Sequence, residues 1–284
     1  MSLIEALVLG VLQGLTEFIP VSSTAHLYLA QMLLRIPNDE LTRSFDVVMH
    51  LGTAAALVLA IWPQLAAIAV ELLLWIGRRP ARDAGARALL LPLALGTVPG
   101  VLAGLLLLKR FEQLGSLPLI GLSMLAASGF FLFSEAVAAR RSAPARPLGS
   151  IGAADGLWIG LAQAAAGLLA GLSRSGLTIS TGRLRGLARD DSARFSFLLA
   201  LPIILGAGAK ALLDLRKHPA GSIGAPVLAA GFLASAVTGY LAVGFMLRFL
   251  RTRSLRPFAV YLALLGAGLL AWSALRGSPL LPGH

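Results

Sequence analysis

The segment QGLTEFIPVSSTAHL, Gln13 to Leu27, sets several reactive side chains close together in a strongly apolar chain. It holds the carboxylate of Glu17, the three consecutive hydroxyls of Ser22–Thr24 and the imidazole of His26. Pro20 separates Glu17 from the hydroxyls and the imidazole. Non-helical backbone at membrane depth is tolerated only where it is buried in protein or lines a wet cavity. The segment therefore predicts a turn inside a membrane, with a polar site at that turn.

The composition is that of a polytopic membrane protein. Of the 284 residues, 57% are hydrophobic and only 13% are charged. The absence of cysteine excludes disulfides and thiolate metal sites. The net charge of +11 falls in short basic clusters between apolar runs, which indicates positive-inside topology and no nucleic acid partner.

Six runs without Asp, Glu, Lys or Arg are predicted to span the bilayer, some after modest extension, since a span needs about 20 apolar residues. They are Val47–Val70, Ala88–Leu108, Leu117–Ser134, Phe195–Ala209, Gly221–Leu247 and Pro257–Leu275.

Four shorter apolar pieces form two pairs, and each pair is joined through a break rich in Gly, Pro or Ser. The breaks are FIPVSST and LLAGLSRSG, a pattern typical of a helix that enters the membrane and turns back. We interpret residues 1–35 and 153–187 as re-entrant helical hairpins. The predicted fold class is an all-α polytopic membrane protein with six transmembrane helices and two re-entrant hairpins.

An offset of 150 positions aligns Gln13 with Gln163, Ser23 with Ser173 and Phe45 with Phe195. The order of one hairpin and three spans also occurs twice, and three spans invert the second copy relative to the first. We therefore expect one integral membrane domain built as an inverted-topology repeat, 1–146 and 147–284.

Basic residues concentrate in the linkers 78–87, 140–146 and 248–256, which are expected to be cytoplasmic. The inverted arrangement predicts that the two hairpin tips enter from opposite faces and meet near the midplane.

The residues after each break favour an anion. Serine and threonine at Ser22–Thr24 and Ser173–Ser175 are natural helix N-caps, and a helix N-terminus attracts negative charge. Arg174 can bond a phosphate in bidentate fashion, and Gly171 and Gly176 permit close backbone approach. The tips together predict a phosphate cradle.

Glu17, Ser23 and His26 beside such a cradle suggest phosphoryl transfer, with a nucleophile, a proton-transfer group and an orienting or metal-binding carboxylate. The alternatives are structural. A membrane serine often bonds its own helix, His26 is compatible with packing, and His50 is compatible with either role. Intramembrane charges such as Glu17 and Arg174 favour function.

The two tips resemble the signature segments of the undecaprenyl pyrophosphate phosphatase family, the bacitracin-resistance membrane proteins of bacterial cell-wall synthesis. The matching motifs are PVSSTAH and AGLSRSGLT, and the likeness extends through FDVVMHLG, TVPG, RFSFLLALP and SLRPFAVY. The chain departs from the family pattern at a few positions: Gln13 is the non-acidic option, Ala25 replaces glycine, Ala170 replaces proline, and His50 stands where glutamine is frequent.

The resemblance implies hydrolysis of undecaprenyl pyrophosphate to undecaprenyl phosphate and inorganic phosphate. It implies roles for Glu17, Ser22, Ser23, His26, Ser173, Arg174, Ser175 and Thr178. Our prediction assigns catalysis to Ser23, His26, Glu17 and Arg174. It assigns substrate binding to Gln13, Ser22, Thr24, Ser173, Ser175, Gly176 and Thr178. Either Ser23 attacks phosphorus while His26 manages the proton, or His26 is itself the nucleophile. The resemblance also implies Mg²⁺ or Ca²⁺, with Glu17 as the metal ligand, although Gln13 weakens a two-carboxylate site.

The expected partners are a polyprenyl pyrophosphate lipid and the bilayer, and a homodimer is one assembly that the sequence leaves open. The family implies the bacterial cytoplasmic (inner) membrane and a site open toward the periplasm. The alternative function is an inverted-repeat transporter or flippase of a lipid phosphate or another anion, which needs an anion site but no nucleophile.

Overall fold

The computed structural model describes residues 1–37, 39–106, 116–217 and 223–276, and side chains throughout these ranges except at 211–217. The described residues form α-helices and a single 3₁₀ turn, with no β-strand longer than an isolated bridge. The all-α prediction is confirmed.

Six helices of the described chain precede residue 140: α1 Leu3–Phe18, α2 Ser23–Leu33, α3 Glu40–Ala60, α4 Trp62–Ile76, α5 Ala84–Leu106 and α6 Leu117–Ala139. Five follow it: α7 Ala153–Leu168, α8 Arg174–Leu184, α9 Arg189–Lys217, α10 Ala225–Thr252 and α11 Arg256–Arg276.

Six of the described helices are long and apolar enough to cross a bilayer, namely α3, α5, α6, the Arg189–Lys210 part of α9, α10 and α11. The predicted number of spans is therefore confirmed among these residues.

The first predicted span, Val47–Val70, has the wrong bounds. The helix begins earlier, at Glu40, because Asp39 caps it by accepting a hydrogen bond from the Thr42 amide at 2.8 Å. It ends at Ala60, where Ile61 leaves helical geometry with φ −117° and ψ 23°. Pro63 lies in the first turn of the next helix, where its missing N–H is tolerated, so α4 is a separate element.

The described residues form two compact units. The first comprises Met1–Ile19, Ser23–Trp62 and Ala200–Met246, and the second comprises the remaining described residues. Each unit therefore combines helices that are distant along the chain.

In the first unit α1 packs on α2 and α3 around the fully buried Phe45 and Met49. The same α1 also lies against α10 at a glycine contact, because a Cβ on Gly10 would come within 2.6 Å of the Gly231 carbonyl oxygen. This backbone approach leaves no room for a side chain at Gly10, so α1 is held close to α10.

In the second unit α7 packs on α5 and α8, and α6 packs on α11 and α8. Glycines again permit the approach, since a Cβ on Gly96 of α5 would lie 2.8 Å from the Gly156 carbonyl oxygen of α7. The Ser128 hydroxyl adds a polar link by donating to the Ala259 carbonyl oxygen at 2.7 Å.

The buried carboxylate of Asp155 hydrogen-bonds loop residues of the second unit to the start of α7. Asp155, at the start of α7, accepts hydrogen bonds from Arg185 at 2.7 Å, from Arg146 at 2.9 Å and from the Gly152 amide at 3.0 Å. Burial alone would raise the pKa of Asp155, but these donors outweigh it and hold the pKa below its ordinary value.

Candidate active site

The first break is set by Pro20. The residue before a proline is driven out of helical geometry, and Ile19 is extended with ψ 134°, so α1 ends at Phe18. Ser22 then adopts a left-handed conformation with φ 71°, which is unusual for a residue with a side chain. The chain turns there and α2 begins at Ser23.

Glu17 is buried in the last turn of α1. Its Oε2 atom accepts a hydrogen bond from the Ser23 hydroxyl at 2.7 Å and another from the Gln13 amide nitrogen at 2.9 Å. Because the serine hydroxyl donates to this carboxylate, Glu17 is placed to remove the Ser23 proton.

His50 of α3 faces the same carboxylate, with its Nε2 atom 3.6 Å from Glu17 Oε2. Its Nδ1 atom lies 2.7 Å from the Asp46 carbonyl oxygen. A carbonyl oxygen only accepts, so Nδ1 carries a hydrogen and Nε2 is the nitrogen directed at Glu17. The Asp46 side chain in turn accepts from the Gln31 amide at 2.7 Å.

We refer to this polar group of the first unit as the Glu17 cluster, which consists of Gln13, Glu17, Ser23, Gln31, Asp46 and His50. Sequence reasoning missed Gln31 and Asp46 and gave no role to His50. The spacing of four residues between Asp46 and His50 on one helix was a signal that placed them on the same face.

The second break is set by Gly171, whose φ of 100° suits glycine. A Cβ at this position would also lie 2.6 Å from the Ile120 carbonyl oxygen. The Gly171 amide donates to the Ser22 hydroxyl oxygen at 3.2 Å, so the two breaks are joined within the second unit.

The N-terminus of α8 follows this break. Ser173 caps the helix by accepting a hydrogen bond from the Gly176 amide at 3.2 Å, and its hydroxyl lies 3.3 Å from that of Ser175. Arg174 is the first helical residue, and its side chain is half-buried. The helix dipole and the guanidinium both favour an anion at this end of α8.

Two predicted site residues of α8 make packing contacts. The Thr178 hydroxyl lies 2.6 Å from that of Ser196 on α9 and donates to the Arg174 carbonyl oxygen at 2.8 Å. Gly176 lies against the Phe131 ring, which a Cβ would overlap. The substrate-binding role of both residues stays a prediction.

The structure thus places the predicted residues in two groups. The first unit brings together Gln13, Glu17 and Ser23, and it also holds His26, half-buried one turn further along α2, and the exposed Thr24. The second unit holds the remaining predicted residues: Ser22, Ser173, Arg174, Ser175, Gly176 and Thr178.

Two neighbouring side chains of the first unit, Gln13 and Glu17, offer oxygen atoms to a divalent ion. Within the described ranges, no three His, Asp or Glu side chains are grouped so that they could hold a metal. However, the buried Gln13 Oε1 atom has no hydrogen-bond partner among the described residues, and Glu17 lies beside Gln13. Since Mg²⁺ is often held by one or two protein oxygens together with substrate phosphates and water, these two side chains would fit such an ion.

Comparison with known proteins identifies the family. Residues 6–268 match the family model described as bacitracin resistance protein BacA. The chain belongs to this family.

Proteins from several bacteria resemble the chain over almost its full length. The undecaprenyl-diphosphatase of Rubrobacter xylanophilus is 44% identical over 95% of this chain and 99% of its own. That of Alcanivorax borkumensis is 40% identical over 95% and 98%, and that of Mycolicibacterium paratuberculosis is 38% identical over 97% and 99%.

Proposed function

We propose that the chain is a multi-pass phosphatase of the bacterial inner membrane that hydrolyses undecaprenyl pyrophosphate to undecaprenyl phosphate and inorganic phosphate. This reaction recycles the lipid carrier of peptidoglycan synthesis and gives bacitracin resistance. The observation that carries the proposal is the 2.7 Å hydrogen bond from the Ser23 hydroxyl to Glu17, in a chain whose relatives are named for this hydrolysis.

In the first step the Ser23 oxygen attacks the terminal phosphorus while its proton moves to Glu17. The bond from phosphorus to the bridging oxygen breaks, and undecaprenyl phosphate leaves with the electron pair. The geometry is that of a nucleophile and its base within hydrogen-bond reach. His50 and Gln13 fix the carboxylate from two further sides.

In the second step water attacks the phosphoserine. Ser23 leaves and takes back the proton from Glu17, and His26 takes the proton that the water loses. We assign this role to His26 because it lies three residues after Ser23, on the same side of α2. The rival mechanism forms a phosphohistidine at His26; we prefer Ser23 because its hydroxyl already donates to Glu17 at 2.7 Å.

The N-terminus of α8 holds the phosphate groups in this proposal. Arg174 neutralises charge on the transferred group, and Ser22, Ser173 and Ser175 supply hydroxyls beside the helix N-terminus. The other proposed substrate-binding residues are Gln13, Thr24, Gly176 and Thr178. Ser22, which bonds Gly171, is followed directly in the chain by the nucleophile.

A divalent ion, Mg²⁺ or Ca²⁺, would screen the pyrophosphate charge when bound. Glu17 and the carbonyl oxygen of Gln13 are the protein groups that would hold it.

The proposed architecture has two re-entrant hairpins, α1 with α2 and α7 with α8, in an inverted repeat of 1–146 and 147–284. Equal helix lengths support it, since α1 and α7 each have 16 residues and α2 and α8 each have 11. Helix α4, in the first half, is an addition to that pattern. The arginine-rich linkers are assigned to the cytoplasm and the opening of the site to the periplasm.

The test is phosphate release from undecaprenyl pyrophosphate by the purified protein in detergent. Ser23→Ala, Glu17→Gln and Arg174→Ala should each lower turnover by about 100-fold or more. Ser44→Ala, which removes an exposed hydroxyl bonded to its own helix, is the control and should keep full activity. The transporter alternative gains no support from relatives named as hydrolases, and it predicts that Ser23→Ala leaves anion or lipid passage intact.

A further inference from the structure

Gln163 of α7 is a buried amide without partners. Its side chain is 3% exposed, and neither Nε2 nor Oε1 has a hydrogen-bond partner among the described residues. Burying a polar group without compensation is unfavourable, and native proteins rarely leave both atoms of an amide unsatisfied. Such a side chain is suited to hydrogen-bond a bound ligand or an ordered water.

Its counterpart in the first unit shows what kind of ligand fits. Gln13 occupies the same place in α1, at the offset of 150, and its Nε2 donates to the Glu17 carboxylate one turn further on. At the position of Glu17, α7 has Gly167, which brings no side chain. A Cβ on Gly167 would meet nothing within 4 Å, so this place is open.

A second unsatisfied polar group lies on α8, which packs against α7. Gln163 lies between one and two turns before α7 ends at Leu168, in the middle of the face that α7 buries. Ser180 lies between one and two turns after α8 begins at Arg174, and its buried hydroxyl also has no partner in the described structure. The two unsatisfied groups therefore lie at similar distances along the chain from the break.

The charge at this end of the hairpin is positive. The N-terminus of α8 directs its backbone amides toward the break, and Arg174 begins that helix. A neutral amide donor on the helix that leads into this positive break is suited to an oxyanion, as Gln13 is to a carboxylate.

We propose that Gln163 is a substrate-binding residue whose amide nitrogen donates to a phosphate oxygen of the lipid diphosphate, in the place that Glu17 has beside Gln13. An ordered water between the Gln163 carbonyl oxygen and the Ser180 hydroxyl satisfies the remaining groups. This inference rests on the proposed function, because the anion it names is that of the proposed substrate.

The test is Gln163→Leu, which keeps most of the side-chain volume and removes the amide. Replacing an unsatisfied buried amide by an apolar group is neutral or stabilising, so the thermal midpoint in detergent should stay level or rise. The dissociation constant of a non-hydrolysable probe, farnesyl methylenediphosphonate, should rise by about 5- to 10-fold, as expected for the loss of one hydrogen bond to an anion. The KM should rise with it, while kcat changes less than about twofold.

Gln64→Leu is the matched control, since Gln64 of α4 also has a carbonyl oxygen without a partner, and it should leave probe binding unchanged. Equal probe affinity for wild type and Gln163→Leu would overturn the inference. The Gln163 amide would then bind ordered water and not the substrate. A wild type that binds the probe but releases no phosphate contradicts the proposed function instead, so the two failures are distinguishable.

Discussion

The Ser22 hydroxyl accepts a hydrogen bond from the Gly171 amide at 3.2 Å, which joins the breaks of two helical pairs that lie far apart in the sequence. Both residues have positive φ, 71° and 100°. Two tight turns therefore support one another, and a change in either should affect the second as well.

Gly171→Ala should destabilise the protein. Alanine disfavours the positive φ of this position, and its Cβ would press on the Ile120 carbonyl oxygen. Together these effects should lower the free energy of unfolding by about 1–3 kcal/mol. For a chain of this size we expect a thermal midpoint lower by several degrees in detergent, with reduced phosphate release. Gly129→Ala, in α6, is the control, because a Cβ added at Gly129 would meet no atom within 4 Å. Equal midpoints for the two variants would contradict the account of this turn.

Glu17→Gln should lower kcat more than it raises KM. The amide can still accept the hydrogen bond from Ser23 but is a far weaker base, and loss of general base catalysis costs about 10²- to 10⁴-fold. Steady-state phosphate release over a range of lipid concentrations separates the two constants. A variant with kcat within twofold of wild type would rule Glu17 out as the base.

His50→Leu should lower kcat/KM by about tenfold, because Glu17 loses the imidazole that faces it. His50→Gln should stay within about threefold of wild type, since glutamine keeps a polar group at the same depth. Both variants remove the imidazole, but only His50→Leu removes the polar group. The comparison therefore measures how far a polar side chain at this position helps to hold the Glu17 carboxylate in place. Equal losses in the two variants would contradict this role.

Acid should weaken the attachment of α7. The pKa of Asp155 is lowered in the folded protein, so its contribution to stability is complete above the unfolded pKa near 3.9 and is lost as the pH falls through the folded value. Asp155→Asn should lower the thermal midpoint by about 2–4 °C at pH 7, and the difference from wild type should shrink below about pH 4. A difference that is constant from pH 7 to pH 3 would sink this assignment. Glu40→Gln, on the exposed first turn of α3, is the control.

Single cysteines can test the topology directly, because the chain has none of its own. Arg82→Cys should react with a membrane-impermeant thiol reagent only in inside-out vesicles. Leu34→Cys should react with the same reagent only in intact cells. The opposite pattern at either position would overturn the proposed orientation.

Local chemistry made part of the fold predictable from the sequence. Pro20 marks the first break because proline restricts the backbone, and Gly171 marks the second because glycine readily adopts a positive φ. Charge-free runs mark spans because lipid excludes charge. The split between α3 and α4 was missed because Pro63 lies in a run without charges, where composition alone indicated one continuous span.

The candidate site was only partly predictable, for a different reason. The pairing of Glu17 with Ser23 follows from their closeness in the chain, and both were predicted. The contacts of Gln31 with Asp46 and of Gly176 with Phe131 depend on which helices pack together, and sequence spacing does not contain that information.

The contact of Gly10 with Gly231 can form only late in biosynthesis, because the two residues are far apart in the chain. Helix α1 leaves the ribosome before α10, and the part of α10 that it packs against is completed only after residue 231. At roughly 5–20 residues per second, the intervening 231 − 10 = 221 residues take roughly 10–45 s to synthesise. During that interval the nascent α1, which carries Glu17, must reside in the membrane or its insertion machinery without its final neighbour.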